Sequence, residues 1–130
     1  MSSLFTKLIN GEIPCEKLAE DDRFFAFMDI RPIREGHALV IPKQEIDYFF
    51  DLDEDLLAGI MQFSRPIAKA IEKVVPCEKV GVMVAGLEVP HAHVHLVPIT
   101  DVGHLNFANA TPADPEALAE LAEKIRQAMA

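Results

Sequence analysis

The chain has 130 residues, half of them hydrophobic, and a formal net charge of −9 at pH 7. That is the size of one ordinary domain with enough apolar material for its own core. The acidic balance argues against a polynucleotide partner, whose phosphates are gripped by many Lys and Arg together, but not against one nucleotide, which backbone N–H groups and imidazoles can hold.

No stretch approaches the roughly 20 apolar residues of a membrane helix. The start "MSSLFTKLINGEIP" is too polar and too broken for a signal peptide. Cys15 and Cys77 stand alone rather than as a CxxC pair, which suits inert thiols in a reducing compartment. The expectation is a cytoplasmic protein with no membrane contact.

In chain order, "SLFTKLIN" spaces Leu4, Phe5, Leu8 and Ile9 as a short helix stopped by Asn10 and Gly11. "EKLAED", "FFAFMDI" and "HALVIPK" read as antiparallel strands separated by the turn signals "DDR" and "RPIREG". From Leu52 to Val75, apolar residues recur every three or four positions, which predicts the main helix, capped by Asp51 or Asp53. Pro66 lies inside it and predicts a kink or break near Met61 to Ser64. "KVGVMVAGLEV" and "HAHVHLVPI" follow as two strands around Gly86, and Asp114 with Pro115 opens a closing helix. The class is α+β, an antiparallel sheet of about five strands covered by helices. Residues 1–130 form one domain, with 101–130 as a C-terminal helical extension.

"VPHAHVHLVPIT" places three of the five histidines at alternate positions of an apolar run. On a strand His91, His93 and His95 share one face, while Ala92, Val94 and Leu96 share the other. An unpaired imidazole in an apolar site is costly, so a purely structural role is strained. Two chemistries suit the pattern. A His-x-His pair can ligate zinc, with Glu88 or His37 as third ligand. Alternatively, a neutral imidazole can attack phosphorus while its neighbours hold the phosphate or pass a proton. His104, in "DVGH", reads as a surface residue.

"HAHVHLV", together with "FMDI" and "GHALVIPK" at this spacing, resembles the histidine triad (HIT) family, and especially its Hint branch of nucleoside phosphoramidate hydrolases. The resemblance covers roughly residues 4 to 99. It implies the HIT fold and a nucleotidyl hydrolase or transferase in which His93 forms a covalent nucleotidyl-histidine. His95 and His91 would contact the phosphate and leaving group, and His37 would support the triad. Asp29 falls where the family holds the ribose hydroxyls, and Phe5, Leu8, Ile13, Phe27 and Ile30 fall at its base pocket. The substrate implied is a purine nucleoside phosphoramidate, of AMP or GMP type, and the assembly a homodimer joined through sheets and long helices. The alternatives are a dinucleoside polyphosphate hydrolase and a non-catalytic nucleotide-binding or scaffold protein. No cofactor or metal is expected, since "SLFTKL" stands where zinc-binding members carry a cysteine pair. Leu87 replaces a usual glutamine, and Glu88 stands where the family has a hydroxyl three residues before the first histidine.

Overall fold

Helix α1 (Leu4–Ile9) starts where Ser3 Oγ accepts the Thr6 N–H, an N-cap bond of 3.1 Å. Strands β1 (Lys17–Glu20), β2 (Phe24–Met28) and β3 (Ala38–Pro42) follow, then α2 (Glu54–Val74), β4 (Lys79–Met83), β5 (Val94–Ile99) and α3 (Pro115–Met129). These elements come from a computed structural model that describes residues 2–130. The five strands form one antiparallel sheet in the order β1-β2-β3-β5-β4, as the α+β expectation requires.

Both faces of the sheet are covered, so β2 and β3 are buried at every residue and read as continuous apolar runs. Phe24, Ala26, Met28 and Val40 face the packed helices α2 and α3, where Ile60, Ile67, Ile71 and Ile125 are fully buried. Phe25, Phe27, Leu39 and Ile41 point the other way, onto Phe5 of α1. Ala92, Val94 and Leu96 join the helix-covered face, which turns the histidines between them toward α1. Helix α3 packs on α2 and β1 and contributes Leu118, Leu121 and Ala122 to the same core, so the C-terminal stretch completes it.

Two local expectations are corrected. The break expected at Pro66 does not occur, and residues 54–74 form one helix. Pro66 and Gln62, four residues before it, are both exposed, so the carbonyl that loses its N–H partner lies on the solvent side. The two strands around Gly86 are shorter than expected: β4 stops at Met83 and β5 begins at Val94, leaving residues 84–93 outside the ladder. Pro90 and Pro42 have no N–H to extend a ladder, and the Ala92 N–H goes to the Ile46 carbonyl instead, at 2.7 Å. The segment before α3 holds two short 3-10 turns, Val102–His104 and Phe107–Asn109. Thr111 and Ala113 donate to the Pro32 and Ile30 carbonyls and tie this segment to the turn after β2.

Candidate active site

His91, His93 and His95 are all buried on the α1 side, yet their ring nitrogens are used differently. His91 Nε2 lies 2.7 Å from the Pro42 carbonyl, which can only accept, so that nitrogen carries the proton. His91 Nδ1 therefore accepts from the Ser3 hydroxyl at 2.8 Å. Both ring nitrogens are engaged, and His91 does not line the cavity described below. Its contribution to the site is its backbone. His93 Nδ1 donates to the His91 carbonyl at 2.7 Å, which fixes the tautomer and leaves a lone pair on His93 Nε2.

A second chain of bonds fixes His95. The Ile33 N–H donates to His37 Nδ1 at 2.9 Å, so neutral His37 carries its proton on Nε2 and donates to His95 Nδ1, also at 2.9 Å. His95 must then hold its own proton on Nε2. The two adjacent rings, 4.8 Å apart, thus present opposite functions: a lone pair on His93 and a donor on His95. Neither Nε2 is sealed away without a partner, and both rings line the cavity described next. His37 is held behind them by the turn that ends at Gly36, whose φ of +97° suits glycine. A Cβ there would lie 3.0 Å from Val75 and 3.1 Å from Pro98.

The two histidines open onto a cavity of about 200 Å³. It is lined by all six residues expected to bind the nucleoside: Phe5, Leu8, Ile13, Phe27, Asp29 and Ile30. Phe5 meets the His93 ring edge-on at 5.0 Å. Asp29, at the end of β2, accepts the Arg31 N–H through Oδ1 at 2.8 Å. A carboxylate at the mouth of an apolar slot can accept two sugar hydroxyls while the slot takes a planar base.

Burial pulls His95 down to about 3 and His37 to about 4, and His93 adds to both shifts. His93 is lowered by burial too, opposed by its bond to the His91 carbonyl. All three rings are therefore neutral at pH 7, as nucleophilic attack by His93 requires. The Asp29 carboxyl is raised by burial, against the Arg31 N–H bond and with a further push from Glu88.

Asp29, His37 and His95 place three ligand atoms within 4.8 Å of one another. The donor set does not suit a cation. His37 Nε2 carries the proton that bonds His95, and binding a metal there would remove that proton and break the bond. The 3.6 Å approach of Asp29 to His37 is not an ion pair, because His37 is neutral.

Four residues the sequence did not single out complete the site. Glu45 Oε1 accepts both the Ser3 N–H and the Thr6 hydroxyl, each at 2.6 Å. Since Ser3 also bonds His91, α1 is tied to the turn after β3 and to the lead into β5 through one polar cluster. Phe107, from the second 3-10 turn, meets the His95 ring at 5.0 Å. Glu45 carries no periodic or motif signal, and neither does Phe107. Ser3 and Thr6 could have been found as the polar partners of the helix start.

Comparison with known proteins gives the family and the fold. The HIT domain family pattern matches residues 10–102. Over 136 residues the chain is 35% identical to adenosine 5'-monophosphoramidase hnt1 of Schizosaccharomyces pombe, covering 96% of each chain. A Hit-like protein of Bartonella henselae superposes with a TM-score of 0.86 at 36% identity, covering 98% of this chain and 96% of that one. A zinc-bound histidine triad family protein of Mycobacterium smegmatis gives 0.84 at 28% identity, covering 99% and 94%. A triad whose middle ring is left with a free lone pair, on a sheet shared with these relatives, makes this chain a member of the histidine triad (HIT) family.

Proposed function

We propose that this protein hydrolyses purine nucleoside phosphoramidates of the AMP or GMP type through a covalent nucleotidyl-histidine at His93. The observation that carries this reading is the His93 tautomer: Nδ1 bonded to the His91 carbonyl and Nε2 free at the cavity. With the base among Phe5, Phe27 and Ile30 and the ribose on Asp29, the α-phosphate falls at His93 and His95. His93 Nε2 forms a bond to phosphorus and the phosphorus–nitrogen bond of the substrate breaks. The departing nitrogen takes one proton from solvent and leaves as an amine. His95 Nε2–H donates to a phosphoryl oxygen as charge builds there. Water then attacks phosphorus, the bond to His93 breaks with its electron pair returning to Nε2, and a nucleoside monophosphate and one proton are released. The named activity of the Schizosaccharomyces pombe relative supports the same reaction class. No Lys or Arg lines the cavity to receive the extra phosphates of a dinucleoside polyphosphate. The bonds that fix His37 and His95 ask for no metal or cofactor.

The test is the intact mass of the protein after brief mixing with adenosine phosphoramidate, denatured without acid because the phosphorus–histidine bond is acid-labile. A gain of one AMP unit in the wild type and none in His93→Ala is expected. AMP binding with neither adduct nor AMP release would leave a non-catalytic binding protein.

We also propose a homodimer through the β4 edge. β4 is a terminal strand of the sheet, and Val82 on it is 47% exposed, with Val84 just beyond at 40%. An apolar unpaired edge of this kind invites a second copy. Sedimentation should give twice the 14.4 kDa chain mass, and Val82→Lys should give monomers.

A further inference from the structure

The nucleoside cavity is not the only space that His93 and His95 face. A second cavity of about 120 Å³ is lined by both histidines and Glu88, together with Ala85, Gly86, Leu87 and Phe107. The two cavities meet at Glu88, His93 and His95 and share no other lining residue. A phosphorus atom held by the histidines would therefore sit at the junction, with the nucleoside on one side and the second cavity on the other. Beyond it the surface continues into a groove lined by Tyr48, Phe50, Val84 and Leu87, which His93 also borders. No Lys or Arg lines either space, and the charged side chains along them are the carboxylates of Glu88 and Asp47.

We infer that this second cavity is the leaving-group site, and that Glu88 and Phe107 select an organic amine with an apolar body and a positive charge. The inference rests on the phosphoramidate reading above and names the class of amine. An aromatic or alkyl body packs on Phe107 and Leu87. A cation on it meets the Glu88 carboxylate and the Phe107 ring face. A carboxylate or phosphate in the same place meets Glu88 with no cation to offset it. Glu88 is solvent-exposed, so the discrimination is modest, about 3–10-fold between cation and anion, and weakens with salt.

The experiment compares kcat/KM for four adenosine phosphoramidates: the unsubstituted amide, and those of benzylamine, 4-(aminomethyl)benzylamine and 4-(aminomethyl)benzoate. The three rings differ only in the charge opposite the scissile nitrogen. The cationic ring should be the best of the three and the anionic the poorest. Glu88→Gln should bring their ratio close to one, as should high salt in the wild type. Phe107→Ala should lower the three ring substrates relative to the unsubstituted amide. Equal kcat/KM for the three charges, or a ratio that survives Glu88→Gln, overturns the inference while turnover of the unsubstituted amide upholds the parent reading. No turnover of any of the four overturns both.

Discussion

The two walls that meet at His93 are built by different means. On the nucleoside side, Phe27 lies in β2, Leu39 in β3 and Asp29 at the strand end, where its N–H bonds the His37 carbonyl at 3.1 Å. Phe5 lies on α1, tied to the sheet through Ser3, Glu45 and His91. On the other side, Leu87 lies in the unladdered run before β5, with Glu88 beside it at the junction, and Phe107 lies in a three-residue turn. Leu87 is 94% exposed. Strands and packed helices hold side chains in place more tightly than loops do. The contrast teaches that one wall is a preorganised slot, while the other is a surface free to vary in shape and charge without disturbing the core.

The sharpest way to break this comparison is at the point the walls share. His93→Ala should lower turnover by on the order of 10⁴–10⁶-fold, the range for loss of a nucleophile, and leave AMP affinity largely intact by calorimetry, since Asp29 and the apolar slot remain. Asp29→Asn should do the reverse of a catalytic lesion and weaken AMP by about 10-fold or more, the worth of a hydrogen bond to a charged acceptor. Leu87→Ala, on the exposed wall, should leave AMP affinity within about twofold. Equal losses from Asp29→Asn and Leu87→Ala would erase the distinction between the walls.

Ser3→Ala tests what pins the nucleoside wall. It removes the cap of α1 and the donor to a buried imidazole nitrogen, which together should cost about 2–4 kcal/mol in a urea melt. Ser3→Thr keeps the hydroxyl and should recover most of it. Because His91 holds His93 through its carbonyl, Ser3→Ala should also shift the ¹⁵N resonances of the His93 ring. Loss of a helix cap alone would leave them in place.

The legible parts of this site are those that periodicity places. The apolar runs gave β2 and β3 as strands, the resemblance singled out Phe27, and the triad pattern set His93 and His95 on one face. The bonds of His91 were not legible in the same way, because a shared face does not say whether a ring nitrogen is free. That depends on Ser3, 88 residues away, and on a carbonyl left open at Pro42. Glu45 was hidden for the same reason: its partners lie 39 and 42 residues back. Pro66 misled in the opposite direction, since a proline breaks a helix less readily where the orphaned carbonyl meets water. Phe107 sits in a segment with no periodic pattern, so its approach to His95 could be found only in three dimensions.

The smallest effect expected concerns protons. His37 and His95 stay neutral in the folded chain down to about 4 and about 3, whereas their unfolded counterparts take up protons near 6.5. Between those limits the unfolded state binds more protons, so stability falls as pH falls from 6.5 toward 4. At pH 5 each buried histidine should cost about 1–2 kcal/mol relative to pH 7. Acidification also relieves repulsion among 21 Asp and Glu, so the reference is His37→Gln, which keeps an acceptor for Ile33 and a donor for His95. Urea melts at pH 7 and 5 should show a smaller loss in that variant than in the wild type. Asp29 acts in the opposite sense. Its raised carboxyl holds a proton when folded at a pH where the unfolded carboxyl has released it, so Asp29→Asn should steepen the fall below pH 5. Equal losses between pH 7 and 5 in the wild type and His37→Gln would mean that His37 binds a proton as readily in the folded chain as in the unfolded one, and equal slopes below pH 5 in the wild type and Asp29→Asn would mean the same of Asp29.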